Sequence, residues 1–289
     1  MRHYCTLFDS SQYMAQGLAL YESLKRHSSV PFTLHILAMD DECFRVLMAL
    51  KLENVQVFTL KSVEVVLCIE ELSKTRTWAE YCWTMASNFM WLLQGIPDIE
   101  SLTYLDADVL FFCDPEHVFK EIGTRSVGVI PHRFPPERKH QEVNGKFNVS
   151  WVTIANTQVG RECLRRWAEQ CRQRCSAEVG CGDQLYLDEW PGLYGDECHV
   201  IENIGAGAAP WNIGQYRVVN YRGVTAVFNH KLSAGFPKLI FYHFHEWKDL
   251  GDGTCFPTNY PLKDDAMELI YKPYIRAVMK AKELIASVS

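Results

Sequence analysis

The sequence has 289 residues, 48% of them hydrophobic, and a formal net charge of −6 at pH 7. This length and composition allow one large domain, and the acidic balance argues against a nucleic-acid partner, because neutralising phosphates requires a concentrated basic surface. No apolar run of about 18 residues and no cleavable leader is recognisable, so we expect a cytoplasmic protein.

Apolar strands alternate with amphipathic helices over the first hundred residues, which is typical of a parallel sheet covered by helices. The hydrophobic periodicities predict strands at 3–8, 32–38, 55–60, 101–109, 126–130, 147–154 and 239–245. They predict helices at 11–27, 43–50, 80–93, 160–173 and 264–289. The Pro-rich run 131–146 is interpreted as a loop, either solvated or acting as a mobile lid.

The eleven cysteines show no zinc-ligand spacing. The densest group is Cys163, Cys171, Cys175 and Cys181, and its first three members fall in a helical pattern. Thiols in such a pattern usually fill the core, so we interpret them as structural thiols in a reducing compartment.

Two carboxylates, Asp106 and Asp108, end the apolar segment SLTYLDADV. Side-chain alternation along a strand predicts that they lie on one side, and open α/β sheets bind ligands at the carboxyl ends of their strands. Two adjacent carboxylates repel each other unless a cation neutralises them, and hard oxygen ligands suit Mn²⁺ or Mg²⁺. The alternative is that the two aspartates cap the following turn.

A second signal lies in the segment LIFYHFHEW, where His243 and His245 stand two residues apart at the end of an apolar strand. An imidazole from this segment completes a metal site if the strand end converges with the two aspartates. The alternative is that both histidines have structural roles.

Five segments, in this order, resemble the GT-A glycosyltransferases, and within them retaining glycosyltransferase family 8 and related bacterial nucleotide-diphospho-sugar transferases. The segments are TLFDSSQY, YLDADVLFFCDP, FNVSW, GDQLYLDEW and LIFYHFHEW. The resemblance implies one α/β domain with a GT-A, Rossmann-like, mostly parallel central sheet flanked by helices. It implies a nucleotide-binding half (1–110), an acceptor and sugar half (111–263) and a C-terminal amphipathic helix (264–289).

The resemblance also implies roles for individual residues. It makes Asp106, Asp108 and His243 the ligands of Mn²⁺ or Mg²⁺, with His245 as a competing ligand, because Glu246 stands where the family has glycine. It implies that the catalytic residues are Asp183, Gln184 and Asn148. The residues that it implies for donor binding are Phe8, Asp9, Gln12, Tyr13, Arg76, Ala107 and Lys248, with Lys231 as an alternative lysine.

Several of these residues have a structural interpretation that the sequence leaves open. Tyr13 either stacks on the base of the donor or packs the first helix against the core. Arg76 either pairs with the diphosphate or is a solvated surface charge. Asp183 either contacts the sugar or caps a helix.

The function implied is that of a metal-dependent hexosyltransferase, which moves a sugar from a nucleotide-diphosphate donor, UDP-sugar above all, to an acceptor hydroxyl with retention of configuration. The acceptor is a glycan, a lipid-linked molecule or a small molecule. The segment GAGAAPW (205–211) is interpreted as an acceptor-side loop, and the run HRFPPERKH (132–140) as a solvated loop, a mobile lid or an acceptor contact. One alternative is a phosphotransferase of the haloacid-dehalogenase type, in which Asp106 is a nucleophile. Another is a catalytically silent binding protein. The basic C-terminal helix either packs on the core or contacts an anionic membrane.

Overall fold

The centre of the molecule is a seven-stranded sheet with the strand order β3-β2-β1-β4-β7-β6-β8. This computed structural model describes residues 1–178, 180, 182–229, 235–251 and 254–288. The strands of the sheet are β1 (Arg2–Phe8), β2 (Phe32–Ala38), β3 (Val55–Thr59), β4 (Ser101–Leu105), β6 (Val127–Pro131), β7 (Phe147–Ala155) and β8 (Cys198–Val200). The first four are parallel neighbours, β7 runs antiparallel to β4 and β6, and β8 is parallel to β6.

Three two-stranded sheets complete the strand inventory of the described residues. They pair β5 (Val109–Phe111) with β11 (Phe241–His243), β9 (Arg217–Tyr221) with β10 (Val224–Phe228), and β12 (Lys248–Asp249) with β13 (Cys255–Phe256).

Helices cover both faces of the central sheet. They are α1 (Gln12–His27), α2 (Asp41–Leu50), α3 (Leu60–Leu67), α4 (Trp78–Gln94), α5 (Glu116–Ile122), α6 (Gln158–Gln173), α7 (Trp190–Tyr194), α8 (Asp264–Ala266) and α9 (Lys272–Ala286). A π-helical turn, Met267–Tyr271, joins α8 to α9. Short 3₁₀ helices span Glu70–Thr75, Pro136–Asn144, Gln184–Glu189, Gly195–Glu197 and Ile213–Gln215.

The alternation of side chains along β1 divides the core into two layers. Tyr4 and Phe8 belong to the hydrophobic cluster that contains α1 and α9. Cys5 and Leu7 belong to the cluster on the opposite face, with α4 and α6. The sheet is therefore buried on both sides, as a mostly parallel sheet requires.

Gly17 lets α1 lie close to the end of β1. A Cβ atom at this position would stand 2.3 Å from the ring of Phe8. Because Phe8 is the last residue of β1, this close approach brings the first turn of α1 to the carboxyl edge of the sheet.

The predicted strands and helices are confirmed in type along the chain, with one correction that concerns the two aspartates. The segment 101–109 is not one continuous strand: β4 ends at Leu105, and a turn closed by the Val109 N–H to Asp106 carbonyl bond (3.3 Å) precedes β5. Strand alternation is therefore the wrong reason for the proximity of Asp106 and Asp108. The turn brings them together, and it redirects the chain so that β5 pairs with β11 instead of with the main sheet.

The C-terminal helix packs on the core. Tyr274, Val278 and Ala281 of α9 are buried, and the ring of Tyr274 stacks on Phe244 at 3.6 Å. The apolar face of the helix is thus covered by protein. Among the described residues, no helix combines the length and the apolar character needed to cross a membrane.

Two buried histidines at the amino-terminal part of the sheet predict a dependence of stability on pH. His3 Nδ1 of β1 lies 3.2 Å from His35 Nε2 of β2. Burial, followed by the neighbouring His3, lowers the pKa of His35 to about 4. The unfolded chain, with a histidine pKa of about 6.5, therefore takes up the proton first as the pH falls, and stability is lost between about pH 6.5 and about pH 4.

We expect His35→Gln to reduce this loss by up to about 3 kcal/mol, because the variant has no imidazole to protonate on unfolding. Urea unfolding at about pH 7 and about pH 4 measures the difference. His140→Gln, which changes an exposed histidine, is the matched control. An equal loss of stability in wild type and His35→Gln would contradict this account.

Candidate metal centre

Asp106, Asp108 and His243 form a cluster in which the possible ligand atoms all lie within 4.8 Å of one another. His243 Nε2 is 3.1 Å from Asp108 Oδ1 and 3.8 Å from Asp106 Oδ2. Two carboxylate oxygens and one imidazole nitrogen are a donor set that suits Mn²⁺ or Mg²⁺. The residues present therefore fit a divalent cation.

The pairing of β5 with β11 explains why His243, and not His245, joins the cluster. His243 is in register with Val109, and the Phe244 N–H donates to the Asp108 carbonyl at 2.8 Å. These contacts fix the His243 side chain beside the aspartates. The side chain of His245 is 46% exposed and lies outside the cluster.

The chain turns sharply after His245. Glu246, at the position where the family resemblance predicts glycine, has a φ of 66° in the left-handed region. Its carboxylate accepts a hydrogen bond from the Asn259 N–H at 3.2 Å, which ties the turn to the following loop. Glutamate thus adopts here the conformation that glycine adopts more readily.

The electrostatics of the cluster are those of two carboxylates that share one counter-charge. Burial, opposed by His243 and reinforced by Asp108, raises the pKa of Asp106 to about 6. For Asp108, burial acts upward, but the attraction and the hydrogen bond of His243 outweigh it and lower the pKa. For His243, burial acts downward, and the attraction and hydrogen bond of Asp108 outweigh it and raise the pKa.

A cavity of about 420 Å³ opens beside the cluster. Seven of the other residues predicted for the site line it, and they come from four different segments of the chain. They are Phe8, Asp9, Tyr13, Ala107, Asn148, Asp183 and Gln184. The carboxyl ends of β1 and β4 and the start of β7 converge here, as expected for a sheet of this type.

Three residues predicted for donor binding do not line the cavity. Gln12 Oε1 accepts from the Asp249 N–H at 3.3 Å. Arg76 donates to Thr84 Oγ1 and, at 2.6 Å, to the Arg172 carbonyl, so its guanidinium bridges α4 and the end of α6. Lys248 is exposed on β12. The alternative lysine, Lys231, and the fourth clustered cysteine, Cys181, lie outside the described residues.

Asn148 and Gln184 are held in fixed orientations by a network of amide hydrogen bonds. Asn148 Nδ2 lies 3.3 Å from Gln184 Oε1 and 3.2 Å from His132 Nε2, and Asn148 Oδ1 accepts from the Ser150 N–H at 2.9 Å. Gln184 Nε2 donates to the Asn144 carbonyl at 2.6 Å. Both side chains are thereby preorganised at the cavity wall.

Asp183 lies deep in the same wall and is only 4% exposed. Its Oδ1 accepts from the Gln184 N–H at 2.9 Å, so it caps the 3₁₀ helix that follows. Burial, then the neighbouring Cys175 and Asp106, raises the pKa of Asp183 well above the ordinary carboxyl value. Burial therefore disfavours the charged form of this carboxyl group.

Tyr13 is 44% exposed at the start of α1 and lines the cavity, so it is not a core residue. Beside it, Trp78 Nε1 donates to Asp9 Oδ2 at 2.8 Å. The sequence interpretation missed Trp78, because a lone tryptophan at the start of α4 carries no motif. It is 48% exposed and forms part of the same end of the cavity.

An aromatic wall, made of His132, Phe134 and Trp211, also borders the cavity. The sequence indicated the two loops that carry these residues, but not that their rings come together. Phe134 stacks on His132 at 4.7 Å, and Trp211 contacts His132 at 5.1 Å and His243 at 5.3 Å. Trp211 Nε1 donates to the His132 carbonyl at 2.9 Å. No sequence motif marks these residues, because they come together only through the packing of two loops.

Gly205 allows the loop that carries Trp211 to lie against β11. A Cβ atom at Gly205 would stand 1.9 Å from the Lys238 carbonyl oxygen. The Ile240 N–H donates to the Gly205 carbonyl at 2.7 Å, and the His243 N–H donates to the Ala208 carbonyl at 2.9 Å. This loop therefore supports the strand that presents His243.

Two curated proteins from Bacillus subtilis (strain 168) are similar to the chain over most of its length. YfnF is 32% identical over 257 residues, which cover 85% of this chain and 81% of YfnF. YfnD is 29% identical over 284 residues, which cover 94% of this chain and 87% of YfnD. Both are named as uncharacterized proteins. No protein-family model matches the chain.

Solved glycosyltransferase structures share its fold. GlyE of Streptococcus pneumoniae TIGR4 has a TM-score of 0.56 and 15% identity, with 99% of this chain and 62% of the GlyE chain covered. The galactosyltransferase LgtC, in complex with donor and acceptor sugar analogs, has a TM-score of 0.55 and 14% identity, with 99% and 95% covered. The chain spans less than two thirds of GlyE. These likenesses confirm the expected GT-A fold.

We expect the Asp106, Asp108 and His243 cluster to bind Mn²⁺, and Asp108→Asn to weaken this binding by about 100-fold or more, because the variant lacks a charged ligand. Calorimetric titration with Mn²⁺ measures the affinity. A rise in unfolding temperature on adding Mn²⁺, present in wild type and absent in the variant, is the second readout.

Asp196→Asn, which removes an exposed carboxylate outside the cavity, serves as the control and should bind Mn²⁺ like wild type. Equal Mn²⁺ affinity in Asp108→Asn and Asp196→Asn would show that the cluster is not the metal site.

Proposed function

We propose that this chain, which belongs to the family of YfnF and has the GT-A fold, is a metal-dependent glycosyltransferase that uses a nucleotide-diphosphate sugar, with UDP-hexose as the expected donor. The observation that carries the proposal is the Asp106, Asp108 and His243 cluster at the mouth of a cavity of about 420 Å³. LgtC, which has the same fold, was solved with donor and acceptor sugar analogs.

In this proposal Asp106, Asp108 and His243 hold Mn²⁺ or Mg²⁺. When bound, the cation supplies Lewis-acid stabilisation of the charge that develops on the departing nucleoside diphosphate. Tyr13 and Asp9, at the β1 end of the cavity, are assigned to the base and ribose. Trp78 positions Asp9 through its indole N–H.

The buried carboxyl group of Asp183 is assigned to the sugar, where it forms a hydrogen bond with a hydroxyl. Gln184 and Asn148 orient the reacting groups, since their amides are already fixed by neighbouring hydrogen bonds. A preorganised set of this kind stabilises a transition state without reorganising during the reaction.

Retention of configuration is proposed from the family resemblance, and the carboxylates that line the cavity suggest how it would be achieved. Asp106 and Asp108 belong to the metal cluster, Asp9 accepts from Trp78, and Asp183 accepts from the Gln184 N–H. None of these is poised as a covalent nucleophile, so we assign attack by an acceptor hydroxyl on the face from which the diphosphate leaves. The departing phosphate then takes the proton of that hydroxyl.

The acceptor is assigned to the side of the cavity bordered by the aromatic wall. Gln141 and Tyr260 line this side as well, and the Tyr260 hydroxyl donates to Gln141 Oε1 at 3.1 Å. Residues 131–146, interpreted from the sequence as a loop, thus contribute Phe134, Gln141 and Asn144 to the cavity. A glycan, a lipid-linked sugar or a small molecule with an open hydroxyl is the expected acceptor.

One of the two alternative functions is disfavoured, and the other requires an experiment. A haloacid-dehalogenase-type phosphotransferase is disfavoured, because the aspartate pair follows β4 in a GT-A fold and shares His243. A silent binding protein has the same cavity, so only turnover separates it from an enzyme.

Incubation with UDP-, GDP- and CMP-sugars and Mn²⁺, read out as nucleotide release, tests the proposal. We expect UDP release from a UDP-hexose by wild type, and loss of that release in Asp108→Asn with the Asp196→Asn control active. Tight UDP binding without release from any donor would support the silent binding protein. A phosphoaspartate on Asp106 would support the phosphotransferase.

We expect Tyr13→Ala to raise the Kd for UDP by about 10-fold or more, because stacking of a base on an aromatic ring contributes about 1–3 kcal/mol. Tyr13→Phe keeps the ring and should bind UDP close to wild type. Calorimetric titration in the presence of Mn²⁺ measures both. Because Tyr13 is 44% exposed, neither change should alter the free energy of unfolding much. Unchanged UDP affinity in Tyr13→Ala would place the base elsewhere.

A further inference from the structure

The described lining of the cavity carries little positive charge to balance the diphosphate of the proposed nucleotide-sugar donor. A nucleoside diphosphate sugar carries two negative charges on its phosphates, and the carboxylates of Asp106 and Asp108 already oppose the charge of a divalent cation. None of the described residues that line the cavity is a lysine or an arginine. Among the described residues, the side-chain donors that the lining offers to the diphosphate are therefore not those of lysine or arginine.

Of the three cationic residues that the sequence suggested for this task, the two that the structure describes are directed elsewhere. Arg76 is held by Thr84 and by the Arg172 carbonyl, outside the cavity lining. Lys248 is exposed on β12, also outside the lining. The imidazoles of the described lining are those of His132, His243 and His245.

Two of these imidazoles are already engaged. His132 is 4% exposed, and its Nε2 lies 3.2 Å from Asn148 Nδ2. His243 directs its Nε2 at Asp108 and Asp106. His245 is the remaining one: its side chain is 46% exposed, and it makes no hydrogen bond to another described residue. Its nearest carboxylate, Glu246, is 4.0 Å away, which exceeds hydrogen-bond distance.

The position of His245 is fixed next to the metal cluster. Its ring lies 5.9 Å from the ring of His243 and 5.5 Å from the ring of Trp211, centroid to centroid. Trp211 is held by its hydrogen bond to the His132 carbonyl, and Glu246 fixes the turn that follows. His245 thus lines the same cavity as the three residues that would hold the cation, and it lies next to one of them.

We propose that His245 donates a hydrogen bond from its imidazole N–H to the diphosphate of the donor, in place of the lysine expected from the sequence. This assignment rests on the proposed function. A neutral imidazole carries one N–H donor, so the interaction does not require protonation of the ring. His245 is then a substrate-binding residue, and His243 alone is the imidazole ligand of the cation.

Calorimetric titration of wild type, His245→Ala and His245→Gln tests the assignment. Each protein is titrated with UDP and with uridine in the presence of Mn²⁺, and with Mn²⁺ alone. We expect His245→Ala to weaken UDP binding by about 10-fold or more, since a hydrogen bond to a charged group contributes about that factor. Uridine, which has no phosphate, and Mn²⁺ alone should bind His245→Ala like wild type. His245→Gln retains an N–H donor and should recover part of the UDP affinity. His140→Ala, at an exposed histidine outside the lining, is the matched control.

Three results would overturn the assignment while leaving the proposed function standing. The first is unchanged UDP affinity in His245→Ala. The second is a loss of uridine affinity in that variant as large as its loss of UDP affinity. The third is a loss of Mn²⁺ affinity, which would make His245 a metal ligand. A larger loss of UDP affinity in Lys248→Ala than in His245→Ala would return the role to the lysine. A wild-type protein that binds no nucleoside diphosphate with Mn²⁺ would overturn the proposed function and this assignment together.

Discussion

The antiparallel pairing of β5 with β11 is the constraint on which the site depends. It joins the turn after β4 to a segment near the end of the chain, through the hydrogen bond from the Phe244 N–H to the Asp108 carbonyl. Two-residue periodicity then puts His243 on the side of the aspartates and Phe244 in the core, where it stacks on Tyr274 of α9. The C-terminal helix therefore stabilises the strand that carries the third member of the cluster.

The cluster itself does not favour folding in the absence of a cation. Burial of the Asp106 carboxylate, reinforced by the repulsion of Asp108, outweighs the attraction of His243 and raises the pKa of Asp106. Strongly perturbed carboxylates in a cavity are characteristic of functional sites. Asp183 fits the same pattern, since burial in the cavity wall raises its pKa well above the ordinary carboxyl value.

Much of the fold was predictable from local pattern. The alternation of strands and helices up to β4, the helix α6 and the C-terminal helix each have a clear periodicity, and each is present. The β4 to β5 turn was not predictable, because the apolar run SLTYLDADV reads as one strand and only pairing with β11 ends it at Leu105. Arg76 illustrates a similar limit: its sequence position suggests a ligand contact, and its hydrogen bonds to Thr84 and Arg172 depend on how α4 packs against α6.

By itself the sequence determined the α/β class, the aspartate pair, the late histidines and the order of segments that resembles the GT-A enzymes. Each of these features can be recognised from short runs of adjacent residues and from the chemistry of their side chains. Only the tertiary structure decided between His243 and His245, directed Arg76 and Lys248 away from the cavity, and assembled His132, Phe134 and Trp211 into one wall. Those outcomes depend on strand register, on a turn at Glu246 and on the packing of loops distant in sequence, and no local pattern of side chains encodes such long-range contacts.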